Sequence, residues 1–549
     1  MNNNTESYTD KTMDNTEPYT DKTVDNTEPY TDKTMDNPEP YAEKAMDNTE
    51  PYAEKTVYNT ESYTDETADR AAREGVHVQE LPQKNRSETD IQLEYIDKCA
   101  SVIREKYPEG LKYFIQNEGC QMNNLQTETV AGMIHEMGCS EADCEENADV
   151  VIFNTCTVRE NANQKIYGRL GRLKSIKRSR PDMKVVLFGC MMQEEHVVRK
   201  IRESYRFVDL VFGTHNMHKF PELFYSSLTG SGQIIDIWTD TDMIVEGLPA
   251  DRKFSFKTGV NIMFGCNNFC SYCIVPYVRG REKSREVQSI LNEIKSLAEK
   301  GVTEVMLLGQ NVNSYGKTLE TPVSFSSLLT EVEKTEGIRR IRFMTSHPKD
   351  LSDELIDVMA HSSKICHHLH LPLQSGSSRI LKRMNRHYDK ERYLELVSKI
   401  RQAVPDISLT TDIIVGFPGE TEEDFCDTLD VVEQCGFDTA FTFIYSKRTG
   451  TPAASMEDQV PEDVVKERFG RLLSLVQQQG RERSSRFEGT VQEVLVEEEN
   501  REKGLLTGRT EYNLLVHFPG DPSLIGSYVK VRMDECKGFY YFGSVLKEN

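Results

Sequence analysis

At 549 residues, with 28% charged residues and a net charge of −23, the chain is long enough for about three domains, because one hydrophobic core rarely grows past ~250–300 residues. No run approaches the ~18 apolar residues of a membrane span, and the first residues are polar and acidic rather than a basic and apolar leader. Thirteen cysteines without an even disulfide framework point to a reducing compartment, so a cytoplasmic protein with no membrane partner is expected.

The charge is uneven. Residues 1–69 hold 18 Asp+Glu against 5 Lys, and Tyr8, Tyr19, Tyr30, Tyr41, Tyr52 and Tyr63 recur every eleven residues. Proline inside several copies and a shortage of apolar residues oppose both a helix and a core, so residues 1–90 read as a disordered acidic repeat tail.

From Lys112 to Leu228 short apolar runs at Lys112–Ile115, Val150–Phe153, Val185–Phe188 and Val208–Phe212 alternate with helical stretches at Leu125–Met137 and Asn161–Ile176. Alternation of this kind predicts a small parallel α/β domain, bounded here at 110–229. Cys120, Cys156 and Cys190 each stand just past a predicted strand. In open parallel sheets the strand C-terminal ends form the ligand crevice, so the three converge there in this reading. Cys99, Cys139, Cys144, Cys366, Cys426, Cys435 and Cys536 read as packed or incidentally exposed thiols.

Residues 252–483 repeat strand and helix at barrel spacing, with strands expected at Gly259–Phe264, Glu304–Leu308, Ile341–Met344, His368–Leu371, Ser408–Val415 and Ala440–Tyr445. Six units predict a partial (β/α)6 barrel with reactive groups at the C-terminal strand ends. The first strand runs into Gly265-Cys-Asn-Asn-Phe-Cys-Ser-Tyr-Cys-Ile-Val-Pro276, where Cys266, Cys270 and Cys273 fit three corners of a cubane and leave one iron open. A structural zinc site is the alternative, but no second cysteine pair follows to close it. Tyr272, just before the third cysteine, fits a cofactor-binding loop that shields a cluster from water, and Gln310, Asn311, Ser346, His347, Gln374 and Ser375 are polar groups expected at the barrel mouth, where they would bind cofactor or substrate or else cap their own loops. After a helix at about Pro461–Arg486, residues 486–549 carry short β runs at Thr490–Glu497, Leu514–Phe518, Tyr528–Arg532 and Gly538–Val545, separated by Gly, Pro and charged turns. These predict a small five-stranded β-barrel.

From Lys112 onward the chain resembles the radical S-adenosylmethionine (SAM) methylthiotransferases. The resemblance rests on Gly119-Cys-Gln-Met-Asn123, Asn154-Thr-Cys-Thr-Val-Arg-Glu-Asn161, Gly265–Arg285, Gly309-Gln-Asn-Val-Asn-Ser-Tyr-Gly316, Thr411–Thr421 and Tyr445–Ala454. It implies an N-terminal methylthiotransferase domain, a radical-SAM core and a C-terminal TRAM domain. It further implies that Cys266, Cys270 and Cys273 hold a 4Fe-4S cluster that cleaves SAM, and that Cys120, Cys156 and Cys190 hold a second 4Fe-4S cluster that carries sulfur. The implied reaction methylthiolates C2 of N6-isopentenyladenosine at position 37 in the tRNA anticodon loop, using a reductant such as flavodoxin or ferredoxin and a sulfur donor, with the enzyme acting as a monomer. Threonylcarbamoyl-adenosine of tRNA, a ribosomal-protein aspartate, and a non-catalytic iron–sulfur RNA-binding protein are the alternatives. Glu118 and Leu514 depart from the family pattern. Arg279, Arg281, Lys283 and Arg285, with Arg169, Arg172, Lys174, Lys177, Arg178 and Arg180, offer positive charge for RNA phosphates; for the second group a solvated helix face is an equal reading.

Overall fold

The computed structural model describes residues 86–157, 160–500 and 504–546. Most of the expected repeat tail, residues 1–85, lies outside the described residues. Its expected end at residue 90 is corrected, because Ser87 caps a helix over Glu88–Lys106, its side chain accepting from the Asp90 amide while Asp90 answers the Ser87 backbone. This capping box satisfies backbone donors that would otherwise be orphaned at the helix start. About three turns into this helix, Cys99 is fully buried and its thiol meets Pro221 O at 3.4 Å.

The first layer is a six-stranded sheet made of β1 (Lys112–Asn117), β2 (Ser140–Glu141), β3 (Val150–Thr155), β4 (Lys184–Gly189), β5 (Leu210–Phe212) and β6 (Ile234–Asp236). Its order is β2-β1-β3-β4-β5-β6, and every neighbouring pair is parallel. The alternation of side chains along a strand explains its two cores. Val150, Ile152, Val186 and Phe188 face one, while Val151, Phe153, Val185 and Leu187 face the other. All six residues of β3 are buried, as expected of a central strand covered by helices on both faces. The four predicted strands are present; the short edge strands β2 and β6 were not foreseen.

The second layer follows as β7 (Lys257–Asn261), β8 (Met263–Phe264), β9 (Lys283–Ser284), β10 (Glu304–Leu308), β11 (Arg340–Phe343), β12 (His368–His370), β13 (Ser408–Val415) and β14 (Thr439–Ile444). Parallel triplets β11-β10-β7 and β12-β13-β14 are joined by a bridge between Ile341 and Ile365 and enclose one continuous core. Among the described residues no ladder joins β14 back to β7, so the six-stranded (β/α) barrel is partial, as predicted. β8 and β9 form a small antiparallel ribbon, with Phe264 opposite Lys283, that pins both ends of the cysteine loop between them.

The third layer is a closed barrel of β15 (Val491–Asn500), β16 (Leu505–Thr510), β17 (Leu515–Phe518), β18 (Tyr528–Cys536) and β19 (Tyr540–Val545), in the order β15-β16-β17-β19-β18. It docks at the N-terminal ends of the (β/α) strands. Arg340 donates to Arg509 O (3.0 Å) and Glu493 O (2.7 Å), and Arg342 to Thr510 O (2.7 Å) and Glu511 O (3.1 Å). Lys257, the first residue of β7, pairs with Glu497 at 2.6 Å. The small barrel therefore occupies the end of the (β/α) barrel opposite the cysteine loops.

Candidate functional site

Cys120 ends the loop after β1 and caps the helix Gln121–Glu136, Cys156 directly follows β3, and Cys190 opens the turn after β4. These are three adjacent strands, so the predicted convergence at their C-terminal ends is present. The residue at its hub is Asn123, which is fully buried. Its Oδ1 accepts from Cys120 Sγ (3.3 Å), and its Nδ2 donates to Asn154 Oδ1 (3.0 Å) and Thr155 O (3.1 Å). Asn154 answers through Nδ2 to Asn123 O (2.8 Å). Asn123 and Asn154 thus lock the Cys120 and Cys156 loops together.

Charge at this triad comes from the second domain. Arg279, at the end of the short helix Val275–Arg279, is buried and donates to Asn123 Oδ1 at 2.7 Å and to the Cys190 thiol. Ile274 and Val278 of the same segment pack on Cys190, and Thr214 Oγ1 donates to Val278 O at 2.6 Å. Burial pushes the Cys190 thiol up to about 11, while Arg279 opposes that shift.

The Cys266–Cys273 loop is a compact turn. Cys273 N donates to Cys270 O (2.9 Å) and Cys266 N to Gly280 O (3.1 Å). Gly265 holds φ +67, and a Cβ there would lie 2.0 Å from Arg281 O, so this position accepts only glycine. Burial raises the Cys266 thiol to about 11 and the Cys273 thiol to about 12, each further raised by its neighbouring cysteines. The three thiols therefore share one buried neighbourhood. Among the described residues no three Cys, His, Asp or Glu side chains close around one point to hold a single metal ion. A cubane asks something different, one thiolate at each of three separate irons, and two triads without a fourth protein ligand fit that requirement.

The barrel-mouth residues divide into two kinds. Asn311 Nδ2 donates to Asp350 (2.7 Å), but among the described residues its Oδ1 is buried without a partner, as are Ser346 Oγ and His347 Nε2. Burial, with Arg386 and Lys349 next in effect, drives the His347 imidazole far below its ordinary range, so it is neutral. Thr345, just before them, holds φ +73, a conformation that a β-branched residue adopts only when its surroundings impose it. Buried polar atoms left unpaired in one mouth mark a place where a ligand completes the bonding. The others have partners within the protein. Gln310 Nε2 meets Met122 Sδ of the first domain; Gln374, at φ +68, exchanges backbone bonds with Asp412 O and Ile414 N. Ser375 Oγ lies 3.4 Å from Thr428 Oγ1 and accepts from Ser377 N. Tyr272 packs beside Ile380, Met384 and Phe417.

Of the basic residues read as phosphate contacts, Arg279 and Arg285 are buried and committed elsewhere, which corrects that expectation for these two. Arg285 is buried, paired with Glu246 and, at 2.7 Å, with Glu293, and Arg279 serves the first triad. Arg169, Arg172, Lys177 and Arg180 pair with Glu145, Glu146, Asp209 and Asp149. Arg281 remains exposed, with its guanidinium 4.4 Å from the Phe269 ring centroid. Sequence reasoning missed Asn123, Arg279 and Arg386 as parts of the cysteine sites. Asn123 and Arg279 lie in the motifs around the cysteines, which was their only signal, and Arg386 lies in none of those motifs. A cavity of about 920 Å³ under the linker Thr241–Ala250 includes Gly265, Arg279 and Lys283 in its wall but no cysteine of either triad.

Comparison with known proteins adds three matched family models: the uncharacterized protein family UPF0004 over residues 112–213, the radical SAM superfamily over 260–432 and the TRAM domain over 485–546. The tRNA-2-methylthio-N(6)-dimethylallyladenosine synthase of Lachnoclostridium phytofermentans is 60% identical over 447 residues, 81% of this chain and 98% of that protein. The protein of the same name from Alkaliphilus oremlandii is 53% identical over 468 residues, 84% of this chain and 99% of that one. Among solved structures, a radical S-adenosylmethionine methyltransferase from Kitasatospora setae with cobalamin and a 4Fe-4S cluster bound aligns at 15% identity and TM-score 0.46, covering 62% of this chain and 77% of that chain. With three domain models in the order of the three layers and full-length relatives far above 30% identity, the chain belongs to the tRNA-2-methylthio-N(6)-dimethylallyladenosine synthase family.

Proposed function

We propose that this chain is the radical SAM methylthiotransferase that converts N6-isopentenyladenosine at position 37 of tRNA into its 2-methylthio derivative. The observation that carries the reading is the identity of 60% and 53% to synthases of that name, extending over nearly their whole length. The chain uses SAM and 4Fe-4S clusters. In this reading Cys266, Cys270 and Cys273 hold the SAM-cleaving cluster, and Cys120, Cys156 and Cys190 hold the one that carries sulfur. The functional division is 110–229, 252–483 and 486–549, with the acidic repeats ahead of it.

The reaction replaces a hydrogen on an aromatic carbon that offers neither an acidic proton nor a leaving group, so acid–base and nucleophilic catalysis by side chains do not suffice. The bound clusters and SAM supply the electron, the radical, the sulfur and the methyl group. The protein supplies placement and dryness. Asn123 and Asn154 fix the loops of Cys120 and Cys156 relative to each other, and Arg279 reaches across to carry positive charge to that triad. Asn311 Oδ1, Ser346 Oγ and neutral His347 Nε2, buried without partners, are assigned to hydrogen bonds with SAM or the adenine, together with Gln310, Gln374 and Tyr272. Ser375, whose hydroxyl is already engaged, shapes the loop that presents Gln374. The target base must leave its stack to reach a mouth this deep.

A one-electron reductant of the flavodoxin or ferredoxin kind and a sulfur donor complete the system, and the enzyme acts as a monomer in the cytoplasm. Purified protein, reconstituted anaerobically with iron and sulfide and given SAM, dithionite and tRNA bearing isopentenyladenosine, should yield 5′-deoxyadenosine together with the 2-methylthio nucleoside. SAM cleavage without a methylthio product on that tRNA would overturn the substrate assignment.

A further inference from the structure

Arg386 is a second guanidinium sealed against a cysteine triad. It is 5% exposed. Nη1 donates to Cys270 Sγ at 3.5 Å, Nη2 to Pro372 O at 3.1 Å and Nε to the Tyr388 hydroxyl at 3.1 Å. The Tyr388 hydroxyl in turn donates to Leu373 O at 2.8 Å, so the rigid fork of the guanidinium is held from both sides.

The backbone around it is equally constrained. Asn385 and His387, on either side, hold φ +60 and +57, left-handed conformations that strain any residue other than glycine. What imposes them is the cysteine loop. Asn385 Nδ2 donates to Asn268 O (3.2 Å) and Phe269 O (3.0 Å). Ser271 N donates to Met384 O (3.0 Å) and Ser271 Oγ to Arg383 O (2.8 Å). Residues 383–386 therefore clasp the Asn268–Ser271 turn and aim Arg386 at a sulfur.

A purely packing role leaves the charge unexplained. Among the described residues Arg386 pairs with no carboxylate, and an unpaired buried cation is penalised by several kcal/mol. The negative charge that resolves this is on the sulfur it touches, once Cys270 is a ligating thiolate.

We propose that Arg386 is a positioning residue of the SAM-cleaving site: it fixes Cys270 and stabilises the extra negative charge when the cluster accepts one electron from its reductant. No bond is made or broken at Arg386. The inference rests on the reading that Cys266, Cys270 and Cys273 hold that cluster. Hydrogen bonds to cluster sulfurs are a recognised control of reduction potential.

The test uses the full chain with Cys120, Cys156 and Cys190 changed to Ala, reconstituted with iron and sulfide so that one cluster is read alone. Arg386 is kept or changed to Lys or Gln, with iron content, the EPR signal after dithionite and the midpoint potential as readouts. R386Q should reduce the reduced-to-oxidised ratio at fixed potential at least tenfold, a 59 mV fall for a one-electron couple, with R386K between it and the parent. Loss of iron in R386Q with retention in R386K also supports the proposal, since it isolates the need for a cation. Equal potentials with full iron in all three proteins would overturn it. So would loss of iron in both variants with a matching drop in unfolding temperature, which would assign Arg386 to the fold alone. No cluster in the Arg386-intact parent would instead refute the ligand assignment on which the proposal stands.

Discussion

Arg279 and Asn123, 156 residues apart in the chain, meet in a buried 2.7 Å hydrogen bond that ties the segment after one cysteine triad to the helix that begins at the other. Six positions separate Arg279 from Cys273, and three separate Asn123 from Cys120. The bond links the two cysteine-bearing segments.

Replacing Arg279 by Ala removes a charged donor from a buried acceptor and takes the only cation named at this triad away from three cysteines. The expected loss is about 1–3 kcal/mol of stability, because Asn123 Oδ1 keeps only the weak thiol donor of Cys120, together with loss of iron from the Cys120, Cys156 and Cys190 site. Urea unfolding and iron per chain measure the two effects, and 5′-deoxyadenosine formation should persist because the other triad is intact. Arg279→Lys should keep the charge but lose the geometry, and fall between.

Gly265→Ala isolates the second triad. The new methyl group meets Arg281 O at 2.0 Å on a backbone held at φ +67, so the turn must open. SAM cleavage should fall more than tenfold while the iron of the first triad stays, as read by Mössbauer spectroscopy.

Both triads were legible in the sequence because thiolate chemistry is sparse and its spacing is informative. C-x3-C-x2-C is local, and strand-end cysteines can be counted against apolar runs. Arg279, Arg386 and Asn123 were not legible as ligand-site residues, since their roles depend on contacts between segments more than 100 positions apart. Arg279 was read as a phosphate contact on charge alone, and burial reverses that. The helix Glu88–Lys106 was not read from the sequence, because the preceding low-complexity composition ran into its start, although Ser87 and Asp90 carry the cap signal. The strand Leu505–Thr510 escaped notice because Gly508 breaks its apolar pattern; a Cβ there would press on Leu495 O at 2.5 Å, so close strand packing demands the glycine.

Glu420 gives a pH test. Burial lifts its carboxyl to about 6 from an ordinary 4.5, although the Gly416 amide and Arg468 oppose the shift. A raised folded-state value means that the folded chain holds this proton more tightly than the unfolded one, so the contribution is fully present below about pH 4.5 and is lost as pH rises through about 6. At neutral pH the ionised group therefore weakens the fold by about 2 kcal/mol. Glu420→Gln should flatten the dependence of the unfolding midpoint between those values; an unchanged slope would reject the assignment.

Arg342 tests the docking of the C-terminal barrel. It is buried, 3.1 Å from Glu304 and bonded to Thr510 O and Glu511 O. Arg342→Met leaves Glu304 charged and buried, which should destabilise the protein by about 3–5 kcal/mol and make the segment after residue 484 the first site of limited proteolysis. Cluster content, set at the opposite strand ends, should be retained.

The central claim concerns the product on tRNA, and nucleoside mass spectrometry of tRNA from a strain lacking this chain reads it directly. Loss of 2-methylthio-N6-isopentenyladenosine with accumulation of N6-isopentenyladenosine is expected, reversed by the wild-type chain but not by one with Cys266, Cys270 and Cys273 changed to Ala. Unchanged levels of the methylthio nucleoside in the deletion strain would contradict it.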